Sequence, residues 1–259
     1  MRTIAVVSTT GGAGRTTIAA ALAVLLARRN RTVVALDLDP QNLLGAHLGL
    51  DAFAPNGLGH AIAGQADVWE APTWRNGDGV LFAPYGELAA AERTAAEGQL
   101  AAEPRWLARA LARLDLPPDG VVLIDTPRYP SLQAEQAVDC ADLALCVTPP
   151  EPGACATFIR RLSALKATGA HIKIVVNRLN PTRDMQCDAL AMLRVAANDA
   201  DALAERVHFD AAMPDAFARG SWLFDDAPHS QASHDLQGLA GWLDTWLDKR
   251  VASAGQAMR

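Results

Sequence analysis

The sequence has few residues that could crosslink or anchor the chain, and each shortage excludes a class of protein. Its 259 residues include 4 cysteines, which form no CxxC pair and no zinc-like spacing. We therefore expect reduced thiols in the core, and neither a disulfide framework nor a zinc site. No apolar run approaches the roughly 20 residues that cross a bilayer, and Met1–Ser8 is too short for a signal peptide. These absences predict a cytoplasmic protein without direct membrane insertion.

Positive charge is also scarce. The 23 Lys and Arg residues are outnumbered by 29 Asp and Glu, which gives a formal net charge of -6. A protein that coats nucleic acid needs a basic surface, so we expect no nucleic-acid partner. The balance of hydrophobic and charged residues is that of a globular protein. We expect residues 1–250 to form a single domain and residues 251–259 to be a flexible tail.

Short apolar runs alternate along the chain with longer segments of helical periodicity. Such runs suit parallel strands that are covered on both faces. The pattern predicts an α/β fold, with a doubly wound, mostly parallel sheet and helices on both faces. The predicted strands are Thr3–Val7, Thr32–Leu36, Val80–Ala83, Val121–Ile124, Leu143–Val147 and Ile172–Val176. The predicted helices are Thr17–Arg29, Arg105–Leu114, Leu132–Val138, Thr157–Ala167 and Asp184–Ala197.

A glycine-rich loop between the first predicted strand and the first helix is the strongest functional signal. Glycines let backbone N–H groups converge on phosphate oxygens, and the helix dipole favours that negative charge. The layout predicts a site for ATP or ADP, with the Thr16 hydroxyl on Mg²⁺. The alternative is a tight turn that binds no ligand. The nucleotide-binding residues predicted in this loop are Gly11, Gly12, Ala13, Gly14, Arg15, Thr16 and Thr17.

Acidic residues at the ends of two later strands extend this prediction. Asp37 and Asp39 follow the second strand, and Asp125 follows the run Val121–Ile124. A carboxylate beside a terminal phosphate can orient water or help to hold Mg²⁺. We predict that Asp37 and Asp125, with Thr16, are metal ligands, Asp125 acting through a water molecule. The alternative is that these acids are ordinary loop residues at strand ends.

The loop resembles the deviant Walker A loop of the MinD/ParA family, which reads K-G-G-x-G-K-T/S. Thr10 stands where that family has its signature lysine, and Arg15 replaces the P-loop lysine. The resemblance implies a homodimer that closes face to face around two nucleotides, with Asp39 as the catalytic acid that positions water. Thr10 is too short and uncharged to reach a partner's nucleotide. A planar guanidinium does not replace a compact ammonium, so we expect binding to survive better than hydrolysis.

Two later segments resemble the base-binding end of the same family. Asn177 follows the strand Ile172–Val176 and offers the donor and the acceptor that a purine edge requires. A turn-forming role before Leu179–Pro181 is an equal alternative. Met213–Asp215 resembles the loop that packs against the base, so Pro214 joins the predicted nucleotide-binding residues.

Several short stretches resemble the cellulose-biosynthesis branch of the family, BcsQ. They are Asn42–Leu44, Ala83–Gly86 with the acidic segment Glu87–Glu92, and Asp125–Arg128 with Cys140–Asp142. The resemblance implies a regulatory or scaffolding protein that is recruited to an inner-membrane cellulose synthase complex and to small companion subunits such as BcsR. Two alternatives remain open. One is an active partition or positioning ATPase, and the other is an interaction module that binds no nucleotide.

The C-terminal region contains an apolar stripe at helical spacing. Because its polar positions are acidic, the pattern favours a helix docked on the core over one lying on anionic lipid. The segment Gly220–Ser233 before it is predicted to be mobile and to have no chemical role. The stripe consists of Leu236, Leu239, Ala240, Leu243, Trp246 and Leu247.

Overall fold

The computed structural model describes residues 1–51, 53–64, 69–197 and 203–257, and the end of the predicted tail, 258–259, lies outside them. The strands form one eight-stranded sheet in the order β3-β4-β2-β5-β1-β6-β7-β8. Strand β3 runs antiparallel to β4, and the other neighbours are parallel. The strands are β1 Arg2–Val7, β2 Val33–Asp37, β3 Trp74–Arg75, β4 Leu81–Ala83, β5 Val121–Asp125, β6 Leu143–Thr148, β7 His171–Leu179 and β8 Leu203–His208.

Helices cover the sheet on both faces. One face packs against α1, α2 and α11, and the other packs against the helices from α3 to α8. The helices are α1 Arg15–Ala27, α2 Leu44–His47, α3 Leu58–Ile62, α4 Ala90–Ala102, α5 Trp106–Leu111, α6 Leu132–Cys140, α7 Pro152–Ala167, α8 Asp184–Ala197, α9 Ala212–Ala218, α10 Leu223–Asp226 and α11 Gln231–Ala257.

Strand β1 shows why near-continuous apolar runs form the middle of this sheet. Ala5 and Val7 point into one core, whereas Ile4 and Val6 point into the other. Successive side chains of a strand alternate between faces, so a strand covered on both sides needs apolar residues at every position. The predicted fold class is confirmed, and the carboxyl ends of β1, β2, β5 and β7 meet at one edge of the sheet.

The structure contains elements that the sequence patterns did not reveal. Strands β3 and β8 have no apolar run, and α4 was foreseen only as an acidic segment at its start. The segment Gly220–Ser233 contains α10 and the beginning of α11. Asp225 in α10 forms an ion pair with Arg28 at 2.7 Å.

The C-terminal helix α11 docks on the core, as its acidic polar positions indicated. Leu239 and Leu243 are fully buried, and the guanidinium of Arg31, just beyond α1, pairs with Asp244 at 2.7 Å. The backbone of α11 continues to Ala257, through most of the predicted tail. None of the helices in the described ranges is both long enough and apolar enough to cross a membrane.

Candidate functional site

The glycine loop, residues 10–17, leaves β1 and enters α1 at the carboxyl edge of the sheet. Gly14 is the N-cap residue of α1 and has a φ of 87°, which a residue with a side chain rarely adopts. A Cβ atom at this position would lie 2.4 Å from Nδ2 of Asn177. The position therefore requires glycine for two independent reasons, its backbone conformation and the close approach of β7.

The backbone amides of this loop are unpaired in the described residues. Within the described part of the chain, the backbone N–H groups from Gly11 to Thr17 donate to no acceptor, and the helical ladder begins with Ile18 N donating to Gly14 O at 3.0 Å. Free amides at a helix N-terminus form a binding site for phosphate. The arrangement brings together Gly11, Gly12, Ala13, Gly14, Arg15, Thr16 and Thr17, as the sequence predicted.

Arg15 is folded inward onto an acid of the next strand end. Its Nη2 donates to Oδ2 of Asp39 at 3.2 Å, and both side chains are at least nine-tenths buried. Nε and Nη1 of Arg15 are buried without a hydrogen-bond partner in the described residues. A buried guanidinium whose N–H donors lack acceptors costs free energy. The Arg15 side chain would therefore be stabilised by further acceptors.

Asp37 and Asp125 end the neighbouring strands β2 and β5, where they are paired in register. Both Asp37 oxygens accept backbone N–H groups, from Asp39 at 2.9 Å and from Leu44 at 3.0 Å. Neither Asp125 oxygen has a partner with full hydrogen-bond geometry within the described ranges, but the Thr16 hydroxyl and the Thr126 N–H lie near enough to favour its charged form. Asp37 therefore shapes the loop that contains Asp39, whereas the Asp125 carboxylate faces the Thr16 hydroxyl.

The two buried carboxyl groups also differ from ordinary acids in their titration. Burial raises the pKa of Asp125 to about 7, against the opposing effects of the nearby Thr16 hydroxyl and the Arg15 charge. Burial, together with the charge of Asp125, raises the pKa of Asp37 well above its ordinary value. A cation placed between these groups would favour their charged forms.

These donors and acceptors fit a polyphosphate with Mg²⁺. Mg²⁺ prefers oxygen ligands and is usually shared between one or two carboxylates, water and phosphates. Thr16 and Asp125 supply such oxygens, and the loop amides with Arg15 supply donors for the phosphates. Across the described ranges, no group of three or more His, Cys, Asp or Glu residues could hold a metal ion alone, so phosphate oxygens would have to complete the coordination.

Asn42 ties the segment after Asp39 to two distant loops. Its backbone N–H donates to Asp39 O at 2.9 Å, its Nδ2 donates to Ala54 O at 3.0 Å, and its Oδ1 accepts from Gly86 N at 3.1 Å. Asn42 is 4% exposed, and its backbone φ is 54°. The segment containing the predicted catalytic acid is thus tied to both loops through the buried side-chain amide of Asn42.

A cavity of about 270 Å³ adjoins the glycine loop, between β7, β8 and α9. Asn177 and Pro214 both line it, but Pro214 lies inside helix α9 and not in the loop that the sequence predicted. Asn177 donates to Ala13 O at 2.8 Å and accepts from Arg178 N at 2.9 Å. Asn177 therefore braces the glycine loop, as well as lining the cavity.

Sequence reasoning missed several residues of this wall. The additional residues are Arg178, His208, Phe209 and Asp210. Arg178 lies with its guanidinium carbon 6.0 Å from the Phe209 ring centre. The sequence feature that could have identified them is the run His-Phe-Asp at the end of β8. Because β8 lacks an apolar pattern, the end of this strand could not be located from the sequence.

The sequence matches the family described as "Cellulose biosynthesis protein BcsQ" over residues 1–243. This match includes the glycine loop and the first part of α11, Gln231–Leu243. The chain belongs to the BcsQ family. Solved structures similar to this BcsQ-family chain include the septum site-determining protein MinD of Pyrococcus horikoshii OT3, complexed with Mg-ADP. That protein is 25% identical, with a TM-score of 0.76, and the match covers 94% of this chain and 96% of that one.

Two further relatives agree with this assignment. The cell division ATPase MinD of Pyrococcus furiosus is 28% identical, with a TM-score of 0.76, and the match covers 95% and 99% of the two chains. An uncharacterized ATP-binding protein of Methanocaldococcus jannaschii is 31% identical over 180 residues, which are 68% of this chain and 64% of that relative. The resemblance to the MinD/ParA type and to its BcsQ branch is confirmed.

Proposed function

We propose that this BcsQ-family chain is an ATP-binding regulatory or scaffolding protein of bacterial cellulose synthesis and secretion. It binds nucleotide as a homodimer, hydrolyses ATP weakly or not at all, and is recruited from the cytoplasm to the cellulose synthase complex and to small companion subunits such as BcsR. The family match supports the cellulose role, and relatives described as ATP-binding or complexed with Mg-ADP support the ligand.

The decisive observation for nucleotide binding is the set of unpaired polar groups around the glycine loop. The loop amides and two nitrogens of Arg15 are without partners in the described residues, and the Asp125 oxygens lack a partner of full hydrogen-bond geometry beside the nearby Thr16 hydroxyl. Buried polar groups are normally paired, and a phosphate chain with Mg²⁺ would satisfy all three sets. Mg²⁺, held by Thr16 and Asp125, would neutralise phosphate charge, while Arg15 and the amides would hold the phosphates.

Weak hydrolysis follows from what occupies the two lysine positions. Thr10 provides no cation, and its N–H donates to Ser8 Oγ at 3.2 Å in a local turn. Arg15 is paired with Asp39, the acid that would position the attacking water. Phosphoryl transfer needs positioned cations and an oriented nucleophile. With Thr10 uncharged and a planar guanidinium in place of the P-loop lysine, both cations of that arrangement are altered.

One experiment tests this function. The nucleotide retained by the purified chain is identified by chromatography after denaturation, and phosphate release with Mg-ATP is then followed over hours. We expect bound ATP or ADP and little release. The matched variant, Thr10→Lys with Arg15→Lys, should release phosphate roughly tenfold faster or more, because both cations are then present.

The other outcomes identify the competing functions. Steady release by the wild-type chain, no slower than by the double variant, would identify an active partition or positioning ATPase. A chain that binds no nucleotide even at high Mg-ATP concentration would be an interaction module. In a chain with residual turnover, Asp39→Ala should abolish phosphate release while nucleotide binding persists.

A further inference from the structure

The cavity beside the glycine loop is lined by His208, a polar side chain that a carboxylate outside the lining holds in a fixed orientation. This inference rests on the proposed function, in which the cavity receives the base of the nucleotide because it adjoins Gly14 and Thr17. Its volume of about 270 Å³ is close to the lower limit of small-molecule sites. The question is which wall group distinguishes one purine from another.

Asn177 is not free to make that distinction alone. One Nδ2 hydrogen is committed to Ala13 O, and Oδ1 already accepts from the backbone of Arg178. The amide lies so close to Gly14 that a single added carbon atom there would collide with it. Turning Asn177 toward a base would release the loop that it supports.

His208 is held differently, by the carboxylate of Asp235, which is not among the residues that line the cavity. Its Nδ1 lies 2.7 Å from Oδ2 of Asp235, and its backbone N–H donates to the same oxygen at 2.8 Å. The other oxygen, Oδ1, accepts from Gln231 Nε2 at 2.8 Å. Asp235, near the start of α11, is thereby fixed on both oxygens and holds the imidazole in one orientation.

The pairing also sets which ring nitrogen has the proton. A carboxylate only accepts, so Nδ1 is the N–H of the uncharged ring and Nε2 is left with a lone pair. No residue in the described part of the chain offers Nε2 a hydrogen-bond partner. A preoriented acceptor on the wall of the cavity is therefore available to a ligand N–H group.

We propose that His208, oriented by Asp235, is a specificity-determining residue that reads the 6-position of a purine base. Nε2 accepts a hydrogen bond from the 6-amino group of adenine. A 6-oxo group, as in guanine or hypoxanthine, would place two acceptors against each other and leave both unpaired. The cavity thus selects ATP over nucleotides that have a 6-oxo base.

The test compares the affinity of the full chain for Mg-ATP and for Mg-ITP, whose base has a 6-oxo group. One hydrogen bond to a site built for it corresponds to roughly tenfold or more in affinity, and we expect the wild-type chain to prefer ATP by about that factor. His208→Phe keeps a ring but removes the acceptor, so the preference should fall to within about twofold. His234→Phe, an exposed histidine on α11, is the matched control and should keep the wild-type ratio.

Asp235→Ala tests the orientation and not merely the presence of the ring. Without the carboxylate, no group holds the proton on Nδ1 or keeps the ring in one orientation. The preference for ATP should then fall toward the value of His208→Phe. A purely structural role for His208 would change both affinities together and leave their ratio unaltered.

The outcomes separate this inference from the function on which it rests. A wild-type chain that binds neither ATP nor ITP overturns the proposed function. Tight ATP binding with the same ATP-to-ITP ratio in the wild type, His208→Phe and Asp235→Ala overturns the role of His208 alone. If His208→Phe does not fold, the ratio measured for Asp235→Ala decides.

Discussion

At the scale of single residues, the site is dominated by a buried ion pair that nucleotide would have to rearrange. Arg15 and Asp39 neutralise each other where little water reaches them. Burying two charges costs more free energy than an ion pair on the surface would gain. Removing one partner costs still more, because the other charge is left buried and unpaired. A polyphosphate is the natural replacement for Asp39 as the counter-charge of Arg15.

The variant Asp39→Ala should therefore be unstable without nucleotide and recover with it. We expect the free energy of unfolding to fall by about 3 kcal/mol, because the Arg15 charge is left unpaired. Mg-ATP should stabilise this variant more than it stabilises the wild-type chain, since phosphate then replaces the missing acid. Urea denaturation with and without Mg-ATP measures both quantities.

The control for this variant is Asp226→Ala, which removes an exposed partner of Arg219. Its denaturation midpoint should stay near that of the wild-type chain, because exposed ion pairs contribute little. Equal stabilisation of Asp39→Ala and of the wild type by Mg-ATP would show that Arg15 does not change partners.

Residue types and spacing predicted the glycine loop and Asp125 because strand, loop and helix follow one another directly in the chain. The pairing of Arg15 with Asp39 could not be predicted, since it joins residues on two different strand ends. His208 was missed for a related reason. A single histidine in a sequence does not indicate a binding role by itself. The carboxylate that orients His208 lies 27 residues further along the chain, on α11.

At the scale of elements, helices α2 and α9 meet through an aromatic contact that contains a titratable ring. The ring centres of His47 and Phe217 are 4.2 Å apart. Burial lowers the pKa of His47 to about 4. The unfolded chain takes up this proton below about pH 6.5, whereas the folded chain does not until about pH 4. The unfolded state thus binds more protons in that window.

The contribution of His47 to stability is present above about pH 6.5 and is lost as the pH falls toward 4. Between pH 7.5 and pH 5 the loss should amount to about 2 kcal/mol. His47→Gln should remove this part of the pH dependence in urea denaturation, whereas His229→Gln, at an exposed position, should leave it intact. A wild-type pH profile in His47→Gln would contradict the assignment.

The docking of α11 is a second prediction at this scale. Leu243 is completely buried in the core shared with α1. Leu243→Ala should lower the free energy of unfolding by about 3 kcal/mol, through lost burial and a residual cavity. Thr245→Ala, exposed on the same helix, should change it by less than about 0.5 kcal/mol. Equal effects would mean that α11 is not part of the cooperative core.

The elements that sequence patterns predicted and those that they missed differ in how they are buried. The central strands lie between two helical layers, so every position is apolar and the run is plain in the sequence. Strand β8 is at the edge of the sheet and pairs with β7 through two register shifts. Short helices such as α9 and α10 span too few turns to show a period, and tertiary packing decides them.

At the scale of the whole molecule, the exposed position of Gly11 and Gly12 bears on assembly. Both residues are exposed at the tip of the glycine loop, so a phosphate chain bound there remains accessible to a second copy. We expect Mg-ATP to convert the chain from monomer to dimer, seen as a doubling of the mass measured by light scattering.

The control for assembly is Gly14→Ala, which obstructs the loop by its contact with Asn177 and by its positive φ. This variant should remain monomeric with Mg-ATP. Dimers that form equally well in both chains, with or without nucleotide, would place the assembly surface away from the glycine loop.

Asn42 links the chemistry of the phosphate site to the outer surface of the protein. A displacement of the Asp39 backbone would also move Asn42, whose N–H donates to it. The Ala54 and Gly86 loops must then follow the side-chain amide of Asn42, or their buried hydrogen bonds to it are lost. Phe53, next to Ala54, is 54% exposed. A protein that bound Phe53 would therefore contact a loop whose position is coupled, through Asn42, to that of Asp39.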